Sequence, residues 1–292
     1  MEYSKKKWLY LIVLSIVWGS SFILIKKALI GLSPFQLGAL RTLFAAFFLL
    51  LIGFRTIKTI RRELWKWVFL SALLGTFIPA FLFAFAETEI DSAIASVLNS
   101  TTPLLTLLLG ILVFSFRFHS NQVIGVFVGL LGSMMLIWEG AAVNPHQNYW
   151  YAGLVLIASC CYAINVNIIK KHLSQISPLA IASGSFVLLI IPSCLVLLFS
   201  DFFTVSVIED TRVYTSIGYL LVLSVVGTGV AKVLFNKLVQ ISSPVFASSV
   251  TYMIPVVASI WGIADGESFT SLQVMAAGII ILGVYLANRK RI

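Results

Sequence analysis

Long apolar runs separated by short polar segments dominate this 292-residue chain. Nine of the runs carry no charged side chain, and they cover residues 8–25, 67–86, 92–116, 120–138, 149–169, 178–200, 213–231, 244–264 and 268–288. A tenth run, residues 33–54, has a similar length and contains Arg41. Each run is close to the roughly 20 residues that a helix needs to cross about 30 Å of hydrocarbon. The pattern therefore predicts ten transmembrane helices.

The composition supports a membrane protein. Hydrophobic residues make up 60% of the chain and charged residues 11%, whereas soluble domains carry about 25% charged residues. Strands of a membrane barrel alternate apolar and polar positions over about ten residues. The runs here are continuous, and a helix satisfies its own backbone hydrogen bonds in lipid. We predict an all-α integral membrane fold surrounded by membrane lipids.

The net charge of +9 is explained by sidedness rather than by nucleic acid binding, since Lys and Arg accumulate in cytoplasmic loops. With ten helices and both termini in the cytoplasm, the inner segments hold fifteen cations and the outer segments hold only Lys26, Lys27 and Arg212. The apolar segment after residues 5–7 is longer than that of a signal peptide, and no A-x-A-like cleavage site follows it in a polar context. We predict a retained first helix and the cytoplasmic membrane of a bacterium, with no nucleic acid partner.

The chain contains an internal repeat. IKKALIGLSP at residues 25–34 returns as IKKHLSQISP at residues 169–178, with six of ten positions identical. Five predicted spans separate the two copies, so equivalent positions fall on opposite sides of the membrane. The repeat predicts two five-helix units of opposite orientation, residues 1–140 and 141–292.

The likeness continues at an offset of 152 residues. Gly75-Thr76 matches Gly227-Thr228, Pro103 matches Pro255, and the pairs 95–96 with 247–248 and 110 with 262 also agree. Two inverted repeats can exchange outward-open and inward-open shapes around a site at the midplane of the membrane. The alternative is a duplication that serves folding alone. We favour alternating access around a central cavity.

Four stretches carry a family resemblance, namely WGSSFILIKKAL (18–29), SPFQLGALRTLFAA (33–46), ASVLNSTTPLLTLLLG (95–110) and DGESFTSLQVMAAGIIILGVYL (265–286). They resemble the EamA family of the drug/metabolite transporter superfamily. The resemblance extends over almost the whole chain. It implies ten helices in two inverted repeats, a central cavity, and export or exchange of small metabolites such as amino acids.

The first half departs from the family pattern. Phe116-Arg117 stands where the second half keeps Gly266-Glu267, a pair that the family usually carries after its fourth helix. The role of this pair is therefore not symmetric in this chain.

Two matched prolines are predicted to kink their helices. A proline lacks an N–H and displaces the carbonyl four residues earlier, so Pro103 frees the carbonyl of Asn99 and Pro255 frees that of Thr251. Both lie near the centre of a span. We predict that Asn99 and Thr251 present a bare carbonyl and a polar side chain to a solute; the alternative is that neighbouring Ser or Thr hydroxyls satisfy the carbonyls.

Helices one and six contribute polar and aromatic positions that match at an offset of 144. Ser21 matches Asn165, and Trp18 matches Tyr162. An amide in hydrocarbon finds its partner either on a neighbouring helix or in a wet cavity. We predict that Ser21 and Asn165 face the cavity, and that Trp18 and Tyr162 either form its walls or pack within the bundle.

Two cations lie within the spans. Arg41 falls seven residues after Pro34, about 10 Å from the outer face at 1.5 Å per residue. Its side chain either extends to the headgroups or points into the bundle toward a carbonyl, a water or an anionic solute group. We favour the inward orientation, and the family resemblance also implies an arginine here. Lys232 lies near the cytoplasmic end of its span, so we predict that it extends to the headgroups.

Acids and glycines limit the mechanism and the assembly. No Asp or Glu lies in the middle of a span, and Glu87 and Glu139 fall at outer helix ends, so proton antiport through a membrane carboxylate is not supported.

Gly125 and Gly129 form a GxxxG pattern that favours close helix contact. We predict packing within the chain, with a homodimer face as the alternative.

Functions of other classes are less well supported. An intramembrane enzyme needs paired acids, a His-rich metal set or an activated nucleophile at depth, and the spans show none. A channel needs charged rings or a carbonyl filter, and a scaffold usually carries larger extramembrane domains. We predict a non-enzymatic secondary transporter of amino-acid-like or amphipathic metabolites that requires no cofactor or metal. Multidrug or toxic-compound efflux is the alternative.

Overall fold

The computed structural model describes residues 2–90, 92–141, 148–204, 207, 210–264 and 271–288. Regular structure in these residues is helical, and the helices are α1 (Glu2–Gly19), α2 (Ser21–Ala28), α3 (Pro34–Ile57), α4 (Trp65–Ala72), α5 (Ile78–Ala86), α6 (Ser92–Asn99), α7 (Thr102–Leu112), α8 (Ser120–Ala141), α9 (Ala152–His172), α10 (Pro178–Leu198), α11 (Thr211–Val222), α12 (Ala231–Ile241), α13 (Pro244–Ser248), α14 (Val250–Ala264) and α15 (Ser271–Asn288). Two π-helical segments, Leu73–Phe77 and Leu223–Val230, join α4 to α5 and α11 to α12.

Six helical stretches of the described residues are long and apolar enough to cross a membrane, and these are Lys5–Ala28, Pro34–Ile57, Arg62–Ala86, Ala152–His172, Pro178–Leu198 and Thr211–Ile241. Four shorter apolar helices accompany them, at Thr102–Leu112, Ser120–Gly132, Pro244–Val257 and Gly278–Ala287. The apolar run predicted over residues 92–116 is interrupted, because turns at Ser100 and Thr101 separate α6 from α7. The chain is a multi-pass membrane protein.

Burial follows the logic of a membrane protein. Large apolar side chains are widely exposed, with Phe199 at 85%, Leu112 at 77% and Ile191 at 72%. Polar side chains such as Asn167 and Asn236 are fully buried. Lipid solvates an apolar surface, whereas a polar group inside the bundle must find a partner or a wet cavity. The polar interior is where a site is to be sought.

Three helices begin at a Ser-Pro pair, at residues 33–34, 177–178 and 243–244. In each pair the Ser Oγ accepts a hydrogen bond from the backbone N–H three residues later, at 3.1 to 3.3 Å. The hydroxyl satisfies an N–H that the first turn leaves open, and proline fits the first helical position because it lacks an N–H. The sequence thereby fixes the starts of α3, α10 and α13.

Glycines bring α8 and α15 into direct backbone contact. A Cβ at Gly283 would lie 2.4 Å from the backbone nitrogen of Gly129, and one at Gly125 would lie 2.3 Å from the nitrogen of Ala287. Tyr252 of α14 is fully buried beside this contact and donates its hydroxyl to the Val126 carbonyl at 2.7 Å. The GxxxG pattern of α8 therefore packs within the chain, as we favoured, and α15 covers these glycines.

Candidate functional site

A cavity of about 100 Å³ lies inside the bundle. On a comparable measure a single water needs about 10–15 Å³, so the space fits a small molecule. All seven residues predicted to face a cavity line this one, and they are Trp18, Ser21, Arg41, Asn99, Tyr162, Asn165 and Thr251. Contact between these side chains and a solute stays a prediction.

The first π-helical segment places the Gly75 carbonyl at the cavity. Pro79 follows four residues later and has no N–H to bond this carbonyl. The C-cap residue Ile78 instead bonds Leu73, five residues back. Lys232 of α12 donates its Nζ to the Gly75 oxygen. The backbone acceptor released in one half of the chain is therefore bound by a side chain of the other half.

The second π-helical segment also leaves a glycine carbonyl, that of Gly227, without a bond from the backbone N–H four residues later. Ala231 donates its N–H to the carbonyls of Val226 and Thr228. The carbonyl of Gly227 accepts a hydrogen bond from Trp18 Nε1 at 3.0 Å. Single-turn π segments in α-helices occur frequently at functional sites. Both segments here belong to the cavity wall.

The prediction that Lys232 extends to the cytoplasmic headgroups was wrong. Lys232 is 7% exposed and lines the cavity. Its partner is the Gly75 carbonyl, which Pro79 cannot bond because it has no N–H, and depth along the sequence does not reveal such a partner. The signal that could have found it is Gly75 followed by Pro79, matched by a second Gly-Thr pair at residues 227–228.

Ser21 and Asn165 contact the two matched glycines across the cavity. A Cβ at Gly227 would lie 2.8 Å from Ser21 Oγ, and a Cβ at Gly75 would lie 2.4 Å from Asn165 Nδ2. Asn165 also accepts a hydrogen bond from Ser71 Oγ at 2.6 Å. Ser21 of the first half thus packs against Gly227 of the second half, and Asn165 of the second half packs against Gly75 of the first half.

Arg41 points into the bundle, the orientation that we favoured. Its Nε donates to Thr228 Oγ1 at 2.8 Å. Thr228 in turn donates to the Leu223 carbonyl at 3.1 Å. Thr76, the match of Thr228, has a buried hydroxyl with no hydrogen-bond partner among the described residues. In the sequence both threonines served only as marks of the repeat, and their place at the cavity was not predicted.

Glu87 is the first residue after α5 and is 8% exposed. Its Oε2 accepts a hydrogen bond from Ser92 Oγ at 2.8 Å, while Oε1 has no partner in the described part of the chain. Burial raises the pKa of Glu87 to about 8, against the lowering effects of Ser92, Arg41 and Lys26. Burial therefore disfavours the charged form of this carboxyl.

The carbonyls freed by the two prolines are not bare. Asn99 accepts from Thr102 Oγ1 at 2.6 Å, and Thr251 accepts from Ser100 Oγ at 3.1 Å. Neighbouring hydroxyls satisfy both carbonyls, so the alternative interpretation is correct at this point. The Asn99 and Thr251 side chains still line the cavity.

The prolines themselves occupy different settings and do not line the cavity. Pro103 lies in the first turn of α7, just after the interruption at residues 100–101. Pro255 lies inside continuous α14, and the interruption in that half falls earlier, at Ser249. The two matched prolines therefore do not mark equivalent breaks.

Aromatic side chains form part of the cavity wall. Trp18 packs against Phe235 with ring centroids 5.0 Å apart, and Tyr162 stacks on Phe83 at 6.1 Å. All four rings line the cavity. Trp18 and Tyr162 thus serve as cavity walls and as packing residues at once.

The described residues hold no group of three or more His, Cys, Asp or Glu side chains suited to a metal ion. Gly266-Glu267, the asymmetric family pair, and the side chain of Glu139 lie outside the residues whose side chains the structure describes. The chemistry of the cavity therefore comes from two cations, hydroxyls, amides and aromatic rings.

Comparisons with known proteins agree along the whole chain. The sequence pattern of the EamA-like transporter family matches residues 5–138 and 149–289. An uncharacterized transporter of Archaeoglobus fulgidus is 26% identical, with 98% of this chain and 100% of that protein covered. The uncharacterized inner membrane transporter YedA of Escherichia coli is 27% identical over 95% of this chain and 89% of its own.

A third relative carries a more specific name. The probable amino-acid metabolite efflux pump of Salmonella typhimurium is 28% identical, with 97% of this chain and 95% of that protein covered. One crystal structure shares the fold at a TM-score of 0.74 and 15% identity, covering 97% of this chain and 96% of its own. Since the family pattern matches nearly all of a chain whose long apolar helices surround a central cavity, this protein is a member of the EamA-like transporter family.

Proposed function

We propose that the protein is a secondary carrier that moves small organic metabolites across the membrane by alternating access. The observation that carries the proposal is the cavity, which is lined by matched residues from both halves of the chain. Its mixture of hydroxyls, amides and aromatic rings suits amino-acid-like or amphipathic solutes. The name of the Salmonella relative, a probable amino-acid metabolite efflux pump, favours the same solute class.

The proposal includes ten membrane crossings in two inverted five-helix units, residues 1–140 and 141–292, with both termini in the cytoplasm. The contacts of Ser21 with Gly227 and of Asn165 with Gly75 support it, because matched residues make matched contacts across the two units. Inverted units of this kind exchange shapes at nearly equal energy and expose a shared site to each side in turn.

Cysteine labelling in intact cells tests the inverted arrangement. Single cysteines replace Lys27 and Lys171 in a chain whose free cysteines Cys160, Cys161 and Cys194 are changed to Ser or Ala. We expect an impermeant maleimide to label position 27 from outside and position 171 only after permeabilisation. Labelling of both positions from the same side would overturn the inverted arrangement.

Counterflow in liposomes tests transport. The purified protein is reconstituted with amino acids, sugars, nucleosides, organic acids and cationic drugs, and protein-free liposomes serve as the control. We expect exchange of at least one small metabolite, which Asn99→Ala and Asn165→Ala reduce at equal levels of folded protein. Exchange confined to cationic drugs would favour multidrug efflux, and no exchange while a validated carrier succeeds in parallel would contradict the proposal.

A further inference from the structure

The cavity contains two cationic side chains and no acidic one among its described lining residues. Arg41 comes from α3 and Lys232 from α12, and both side chains line the same cavity. Burying an ion away from water costs several kcal/mol unless a counter-ion or hydrogen bonds compensate. Two like charges at one cavity increase that cost, so a site of this kind favours an anion.

The hydrogen bonds of the two cations leave room for a ligand. Within the described residues Arg41 uses only Nε, which donates to Thr228, and its two terminal nitrogens remain. An arginine binds a carboxylate or a phosphate through two parallel N–H donors. Lys232 donates to the Gly75 carbonyl, and an ammonium group carries three N–H donors in total.

A third group supports an incoming ligand. The hydroxyl of Thr76 is buried, lines the cavity and has no hydrogen-bond partner in the described chain. A buried polar group without a partner is destabilising, so a ligand that bonds this hydroxyl gains stability. The repeat explains why Thr76 lacks the donor that Thr228 receives from Arg41. The residue that matches Arg41 at an offset of 144 is Ser185, whose hydroxyl donates to the Val68 carbonyl instead.

Each cation occurs in one half only. The position that matches Arg41 holds Ser185, and the position that matches Lys232 at an offset of 152 holds Ala80. The positive charge is therefore an addition to a common architecture rather than a requirement of that architecture. The carboxyl of Glu87 is not among the described residues that line the cavity, and burial raises its pKa.

We propose that the cavity selects organic anions, and that Arg41 and Lys232 bind the carboxylate or phosphate of the solute while the aromatic wall holds its apolar part. This inference rests on the proposed transport function for its physiological meaning. It narrows the solute class, because the described lining offers no acid to pair with a solute ammonium group.

The test compares four probes that share a ring and differ in charge, namely benzoate, phenyl phosphate, benzamide and benzylamine. Binding to the purified full-length protein is measured by calorimetry, and exchange is measured in liposomes. We expect the two anions to compete with each other and at least one to bind about tenfold or more tightly than benzamide, with benzylamine weakest, since only an anion forms charge-assisted hydrogen bonds with both cations.

Arg41→Gln and Lys232→Gln should each reduce the preference for the anion over benzamide about tenfold or more, whereas Lys27→Gln, an exposed lysine of α2, should leave it unchanged. The ratio of the two affinities is measured on one preparation, so loss of folded protein does not mimic the effect. Arg41→Lys retains the charge and should keep part of the preference.

The outcomes separate the two proposals. Anion binding without exchange of any solute would overturn the transport proposal and leave the anion site standing. Exchange of benzamide or benzylamine in preference to both anions, or an unchanged anion preference in both Gln variants, would overturn the anion site and leave transport standing.

Discussion

The two halves of the chain meet the cavity with the same backbone device and with different side chains. In each half a Gly-Thr pair lies in a π-helical segment, and the other half supplies a donor to the glycine carbonyl. The donor is Lys232 at Gly75 and Trp18 at Gly227. The repeat therefore preserves a glycine carbonyl that faces the other half, while the side chain that binds this carbonyl differs between the halves.

The strongest test of this comparison adds volume at the matched glycines. Gly75→Val should lower the free energy of unfolding by about 3 kcal/mol, because its Cβ would lie 2.4 Å from Asn165 Nδ2 and Ser71 holds that amide. Gly227→Val should lower it less, since Ser21 Oγ at 2.8 Å can rotate away. Denaturant unfolding in detergent measures both.

Gly218→Ala is the control for this pair, because nothing lies within 4 Å of its added Cβ. It should be neutral or stabilising, as alanine is the better helix former by about 1 kcal/mol. Equal losses at Gly75 and Gly227 would show that the two contacts have the same rigidity and would contradict the asymmetry.

The matched threonines should respond with opposite signs. Thr228→Val removes the acceptor of Arg41 and should destabilise the protein by about 2 kcal/mol, as expected for a hydrogen bond to a charged group. Thr76→Val removes a buried hydroxyl without a partner and should change stability by less than about 1 kcal/mol, toward greater stability. Thermal unfolding of the ligand-free protein checks both, and equal destabilisation would indicate that Thr76 has a partner.

The matched polar residues of α2 and α9 should differ less. Asn165→Ala removes the bond to Ser71 and leaves that buried hydroxyl unpaired, at a loss of about 1.5 kcal/mol. Ser21→Ala should stay within about 0.5 kcal/mol, because Ser21 Oγ bonds the Val17 carbonyl of the neighbouring turn. A larger loss at Ser21 in chemical unfolding experiments would reverse the order that we infer.

The smallest effect is expected at the repeated lysines. Lys170 Nζ donates to the carbonyls of Val239, Gln240 and Ser242 at the end of α12, at 3.3, 3.1 and 2.6 Å. Lys170→Met should lower the free energy of unfolding by about 1 kcal/mol, because a cation at a helix C-terminus is stabilising. The exposed match, Lys26→Met, should lower it by less than about 0.5 kcal/mol. Unfolding in detergent at low and high salt distinguishes them, and equal losses would contradict the difference.

The all-helical membrane fold was predicted from the sequence because long apolar runs are local signals, and six helical stretches of the described residues are long and apolar enough to cross a membrane. Pro34, Pro178 and Pro244 begin helices in the structure where they begin spans in the pattern. The residues that line the cavity could be predicted for a related reason. Matched polar residues in apolar spans, such as Ser21 and Asn165, have few places to lie except the interior.

The role of Lys232 could not be predicted because it depends on another helix. Counting residues placed it near the membrane surface, yet it binds the Gly75 carbonyl of the facing helix, which Pro79 cannot bond. The surroundings of the interruption between α6 and α7 were difficult to predict for the same reason. Pro103 marked it to within a few residues, but whether the released carbonyl met a hydroxyl or a cavity depended on Thr102 adopting one rotamer.

The close contact of α8 with α15 has a consequence for how this protein can be altered. In the described part of the chain neither helix contributes a residue to the cavity, although Tyr252 ties α8 to the helix beside it. These two helices pack against each other and against the bundle without lining the cavity in their described residues. Fluorophores, affinity tags or an antibody epitope attached along their lipid-facing or loop ends should report on the working protein without altering its selectivity.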